Sequence, residues 1–153
     1  MDHFSKTIIF KLNTQEYGAN IEQIRSIERL QEIVEMPRTS DFIKGIINMR
    51  GQITPIIDLK TRLGLGETVH TENTRILIAS IDDIQVGLIV DAATDVIDID
   101  SSVIDEAPQS VNGVDSKYLK GVAKLEERLL LILNLEQVLS NQEISQVKEV
   151  VND

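Results

Sequence analysis

FIKGIINMRGQITPIIDLKTRLG, residues 42–64, decides how the rest of this 153-residue chain is read. Residues 46–49 and 53–57 are apolar, β-branched runs of strand length. Between them stand Arg50, Gly51 and Gln52, and Gly51 supplies the positive φ that a tight turn demands. Asp58 follows the second strand as an N-cap for a short helix over 59–63, which Gly64 ends. The stretch nearly recurs 76 residues later as YLKGVAKLEERLLLILNLEQVLS, residues 118–140. Phe42 matches Tyr118, Lys44-Gly45 match Lys120-Gly121, and Ile56-Ile57-Asp58-Leu59 match Ile132-Leu133-Asn134-Leu135. Agreement of that extent in order and spacing implies a duplicated structural unit. The copies differ most at the hairpin tip: Arg50-Gly51-Gln52 in the first, Glu126-Glu127-Arg128 in the second.

Working outward, residues 7–12 (TIIFKL) read as a short strand, and 13–16 (NTQE) as a polar turn into Tyr17-Gly18. Ile21, Ile24, Ile27 and Leu30 then recur every third position, which fits a helix face or a twisted strand with a bulge. This pattern also returns downstream. Tyr17-Gly18 and Ile21 parallel Val86-Gly87 and Val90, and Ile27 parallels Val96, at an offset of 69. The second half therefore carries about seven extra residues before Tyr118, placed in the polar segment 98–116. That segment begins like a calcium loop but has Val103 where the loop's sixth-position Gly belongs, so it reads as a loop turning at Pro108 and Asn112-Gly113. Residues 65–73 form a polar junction, and strands resume over 75–81 and 84–90 around Asp82-Asp83. Asn141 is placed to cap a last helix whose Ile144, Val147 and Val150 or Val151 share one face, a stripe suited to docking on its own domain.

The fold expected is mainly all-β. Two halves of short strands, tight turns and one helical turn each imply two small β-barrels, about 7–64 and 75–140, with the structural partition free to interleave them. Together they make one domain over 7–140, followed by a C-terminal helix and tail over 141–153. Some sixty residues fill a core poorly alone, so the halves are expected to pack around a shared apolar layer.

Composition excludes several functions. The formal charge of −10 argues against nucleic acid and against an anionic membrane surface. No cysteine is present, so disulfides and thiolate metal sites are out. His3 lies near the terminus and His70 in the junction, and neither is held as a zinc site or a nucleophile–base pair requires. No phosphate-loop or nucleophile-elbow motif occurs, and Gly64-Leu65-Gly66 stands outside any strand-to-helix loop. The start lacks a signal-peptide pattern and the aliphatic run 129–133 is far too short to span a bilayer, so a cytoplasmic protein without metal or cofactor is expected.

The run FIKGIINMRGQITPIIDL closely resembles the signature of the CheW family of bacterial chemotaxis coupling proteins, and the likeness extends from about residue 7 to 139. The resemblance implies paired five-stranded, SH3-like barrels and an adaptor without catalysis that ties chemoreceptor signalling tips to the histidine kinase CheA. It implies a receptor-tip groove between the barrels, with Ile24, Ile27, Arg50, Gly51, Ala93 and Val96 carried over as groove positions. For barrel-to-barrel contact with the CheA regulatory domain it points to Gly45, Ile46 and Ile53. Ser26 departs from the pattern, since many relatives carry an acid there; here the acid is Glu28. Other readings are a CheV-like coupling domain apart from its receiver and a small β-barrel hydrolase or ligand-binding protein, which converging acids in a pocket would support.

Overall fold

The computed structural model describes residues 4–36, 41–111 and 113–152. Strands β1 (Phe4–Leu12), β2 (Gln15–Asn20), β3 (Ile24–Arg29), β4 (Ile43–Met49) and β5 (Gln52–Asp58) lead into the short helix α1 (Leu59–Arg62). Then come β6 (Arg75–Ile81), β7 (Ile84–Val90) and β8 (Ala92–Asp100), followed by the two-residue strands β9 (Ile104–Asp105), β10 (Ser110–Val111) and β11 (Val114–Asp115). Strands β12 (Leu119–Leu125) and β13 (Arg128–Leu133), helix α2 (Leu135–Val138) and helix α3 (Asn141–Asn152) complete the chain.

Two main sheets form, and neither is made from one half of the sequence. Their strand orders are β8-β1-β2-β13-β12-β9 and β3-β6-β7-β5-β4. At the two offsets read from the sequence, β1, β2 and β3 correspond to β6, β7 and β8, while β4 and β5 correspond to β12 and β13. Apart from the extra β9, the sheets are thus the same arrangement built twice, each taking its first hairpin from one half and its other three strands from the other half. The joints match in detail. Gly18 on β2 pairs with Ile132 on β13, and Gly87 on β7 pairs with Ile56 on β5, both in parallel register. A Cβ at Gly18 would meet Thr7 and Ile132, and one at Gly87 would meet Ile56 and Ile76, so both glycines let a neighbouring side chain cross the strand.

Three apolar clusters follow from this arrangement. Ile9, Ile99, Ala123, Leu130 and Ile132 belong to the six-stranded sheet, and Ile47, Ile56, Ile76, Ile78 and Ile89 to the five-stranded one. The third and largest draws Phe10, Leu12 and Tyr17 from one sheet and Ile57, Leu77 and Leu88 from the other, and is the shared layer. Ile144 and Val147 of α3 join it, so that apolar stripe docks on the domain. Arg62 lies between the repeat-related rings of Phe42 and Tyr118, 5.3 and 5.2 Å from their centroids. Its Nε donates to the Val138 carbonyl at 2.6 Å and its Nη2 to Glu143 at 2.8 Å, joining α1, α2 and α3.

Several local expectations resolve differently. Residues 24–29 are a strand preceded by a 3-10 turn, with a bulge between Ile24 and Ser26, which is why the apolar spacing mimics a helix. The first hairpin turn is Arg50-Gly51 alone, with φ of 54° and 86°, and Gln52 already lies in β5. Asp58 accepts from Lys60 N as a cap, whereas its counterpart Asn134 makes no side-chain cap bond. The cap of α3 is Ser140, not Asn141: Ser140 Oγ accepts from Glu143 N and Glu143 accepts from Ser140 N at 2.7 Å, a reciprocal capping box. Segment 98–116 contains the end of β8 and three small strands; the turn residue Asn112 lies outside the described residues.

Candidate partner-binding surface

The Arg50 tip is shaped by its own strand. Two successive positive φ values give the primed turn that suits the twist of a two-residue hairpin. Asn48 Oδ1 accepts from Gly51 N at 2.8 Å and fixes the tip from within. Arg50 is thereby held exposed at the mouth of a hollow of about 230 Å³, lined by Arg25, Ser26, Met49, Gln52, Ile78 and Gln85. All of these belong to the five-stranded sheet or its tip, so this hollow is made within one sheet. On its wall Arg25 donates to Gln85 Oε1 at 3.3 Å, and Gln85 Nε2 donates to Thr54 Oγ1 at 3.0 Å.

The corresponding positions in the six-stranded sheet are ion-paired. At the 69-residue offset Gln85 corresponds to Glu16 and Ser26 to Asp95; at the 76-residue offset Gln52 corresponds to Arg128. Arg128 donates its fork to Glu16 at 3.0 and 2.8 Å and reaches Asp95 at 3.5 Å. The Arg128 hydrogen bonds hold the Glu16 carboxyl below its usual range, against the opposing effect of burial. Glu16 in turn holds the Arg128 guanidinium above its ordinary value. Three neutral side chains in one sheet thus replace an ion-paired triad in the other.

The expected receptor positions separate into two groups. Ile27 and Val96 are 42% and 48% exposed, and lie at equivalent places on β3 and β8, each the end strand of its sheet. Arg50 and Gly51 are exposed at the tip. Ile24, at 8%, belongs to the shared core, and Ala93 packs against that core, so both serve packing. Arg25, Asn48 and Gln85 were not singled out by the sequence reading, although setting the two offsets side by side marks positions 26, 52 and 85 as places where an ionic triad has become neutral.

The expected kinase positions also divide. Gly45 is enclosed: a Cβ there would lie 2.1 Å from the Val34 carbonyl oxygen. Val34 and Ile46 exchange two backbone hydrogen bonds of 2.9 Å, so the segment around Val34 crosses the outer edge of β4. Ile46 is half-buried and Ile53 exposed on the adjoining strand, two positions from Pro55, the partner of Ile46. Val34, 58% exposed, extends this apolar surface and was missed because nothing in its local sequence marks it as a strand partner.

Three acids converge in a hollow lined by Glu35, Lys44, Asp58, Glu67, Thr68 and His70 among others. Two of these acids, Asp58 and Glu67, have structural work already. Asp58 is buried and accepts from Lys60 N, Thr68 N and Thr68 Oγ1, while Glu67 pairs with Lys44 at 3.0 Å. Among the described residues no group of three His, Cys, Asp or Glu is placed to hold a metal ion, and no helix is long and apolar enough to cross a membrane.

Comparison with known proteins agrees with this architecture. The CheW-like domain family matches residues 6–143. The chain is 41% identical over 137 residues to the chemotaxis protein CheW of Bacillus subtilis, covering 90% of this chain and 88% of that one. It is 34% identical over 143 residues to the CheW of Klebsiella aerogenes, covering 94% and 86%. Among solved structures, the scaffolding protein TtCheW from Thermoanaerobacter tengcongensis superposes with a TM-score of 0.82 at 35% identity, over 91% of this chain and 90% of that one. With a duplicated two-sheet fold, the family match over nearly its whole length and these relatives, the chain belongs to the CheW-like domain family.

Proposed function

We propose that this chain is a chemotaxis scaffold without catalytic activity, working in the cytoplasm to couple chemoreceptor signalling tips to the histidine kinase CheA. The observation that carries the reading is the arginine-lined hollow at Arg50, whose counterpart positions in the other sheet are tied into the Arg128–Glu16–Asp95 ion pairs. A duplicated fold has no structural need for an arginine-rimmed opening on one side alone. A receptor helix lying along the end strands meets Ile27 and Val96 as apolar anchors, a helix-in-groove contact, while Arg50 hydrogen-bonds its carboxylates or end carbonyls and Gly51 permits close approach. Ile46, Ile53 and Val34 supply an apolar outer surface of the five-stranded sheet for the regulatory domain of CheA, and Gly45 acts there by seating the Val34 segment.

Binding of a receptor-tip fragment and of the CheA regulatory domain, measured separately, tests this. Arg50→Ala is expected to weaken the receptor contact by ~2 kcal/mol or more, as for a central hot spot, and to leave CheA binding and the thermal midpoint unchanged. Normal receptor binding by the variant, or loss of its fold, overturns the assignment.

A further inference from the structure

The hollow beside Arg50 has two cations on its wall and no acid. Arg25 and Arg50 both line it, and Ser26, Gln52 and Gln85 beside them are neutral. Among the described residues neither guanidinium is in an ion pair; Arg25 makes only the 3.3 Å bond to Gln85. In a chain of charge −10, two unpaired arginines around one opening are the reverse of what its average surface offers. The other sheet shows how such a place is satisfied from within. Arg128 there is met by two acids, Glu16 and Asp95, and their counterparts here are Gln85 and Ser26. The anions are missing while cations line the opening.

We propose that this hollow is a carboxylate-binding site, in which Arg25 and Arg50 together hold one Glu or Asp side chain from an acidic helical segment of the receptor tip. The proposal rests on the receptor-tip reading and adds to it a second binding residue and the chemical class of the ligand. Charge-assisted bonds from a guanidinium to a carboxylate are about twice as strong as neutral ones, and Arg presents a fork that matches that group. Gln85 acts as a positioning residue: its amide is bound to Thr54 at one end and to Arg25 at the other, which steadies Arg25 without claiming its whole fork. A hollow of about 230 Å³ accommodates a side chain and not a helix, so the helix lies across the mouth and sends one acid inward. Because Arg25 and Arg50 are exposed, the contact is screened and weakens as ionic strength rises.

The test uses the full chain titrated calorimetrically with a helical-hairpin peptide of receptor-tip sequence, whose Glu and Asp residues are changed singly to Gln and Asn. Arg25→Gln is expected to weaken binding about tenfold, Arg25→Lys less, and neither to move the thermal midpoint. One acid-to-amide peptide should reproduce the loss against the unaltered chain and lose nothing further against Arg25→Gln, the signature of a shared contact. If Arg50→Gln binds weakly and Arg25→Gln binds normally, the shared carboxylate site is wrong and the receptor-tip reading stands. If neither substitution weakens binding, both are wrong.

Discussion

The two hairpin tips of this molecule sit on the same scaffold and are finished differently. At the β12–β13 tip a bidentate Arg128–Glu16 pair and the nearby Asp95 tie three strands together across the sheet. At the β4–β5 tip Gln52, Gln85 and Ser26 occupy the corresponding places, and the charge has moved outward to Arg50 and Arg25 around an opening. The difference shows which parts of a duplicated fold are fixed by its core and which are not. Both sheets keep the glycines, the strand apolars and the short helix, because the shared core needs them twice. In one sheet the polar groups at the tip are satisfied internally; in the other, two guanidinium groups are left without an ion pair among the described residues.

The comparison extends to the repeat-related glycines Gly45 and Gly121, where the largest effect is expected. A Cβ at Gly45 would lie 2.1 Å from the Val34 carbonyl oxygen on a backbone with φ of 145°; at Gly121 it would lie 2.5 Å from the Asp105 carbonyl oxygen. Gly45→Ala should therefore cost about 3 kcal/mol in urea unfolding, and Gly121→Ala less. A stable Gly45→Ala protein that fails to bind CheA would instead make Gly45 a contact residue.

Breaking the ion-paired tip is the next test. Arg128→Gln should cost about 1 kcal/mol near neutral pH, since the pair is partly exposed and screened, and should leave receptor binding unchanged. It should also change the acid limb. Glu16 has its carboxyl held below the ordinary 4.5 in the folded protein, so its stabilisation is present above that value and fades as pH falls through the lower folded one. Stability measured from pH 6 downward should show a steeper acid loss in the unaltered chain than in Arg128→Gln.

The smallest effect is invisible at neutral pH. Burial pushes the Tyr17 hydroxyl from 10.0 up to about 12, while its repeat counterpart Val86 does not titrate. Stability contributed by keeping Tyr17 neutral is present below pH 10 and is lost as pH rises toward 12. Tyr17→Phe should flatten that alkaline loss, and an unchanged alkaline profile would assign it to other groups.

Much of this was legible in residues 42–64. Short β-branched runs, Gly51 and the Asp58 cap are local signals, and β4, the turn, β5 and α1 follow from them. The β3 segment stayed ambiguous because a bulge after Ile24 shifts the face of the strand and gives spacing like a helix. Ser140 with Glu143 is a capping box in plain sequence, yet Asn141 is as good a cap by type, and only the hydrogen bonds decide between them. Which strands share a sheet was not local at all. Nothing near Gly18 indicates that Ile132 lies beside it, and nothing near Arg62 indicates that it will rest between Phe42 and Tyr118. At the candidate site the tip was readable from Arg50-Gly51, but Arg25 sits across a strand pairing and emerges only when the chain is folded.

Interleaving the halves also has a consequence for how the chain is made. The β1–β2 hairpin is made before the other strands described, yet the parallel partner of β2 is β13, where Leu130 aligns with Glu16 from 114 positions further along the chain. At ordinary elongation speeds that is a delay on the order of ten seconds, during which one edge of the nascent hairpin has nothing of its own to bond. The six-stranded sheet cannot be completed until β13 emerges, whereas the five-stranded sheet has all its strands by Val90, so a chain truncated before β12 should carry an unfinished, sticky sheet edge and not behave as half of a working protein.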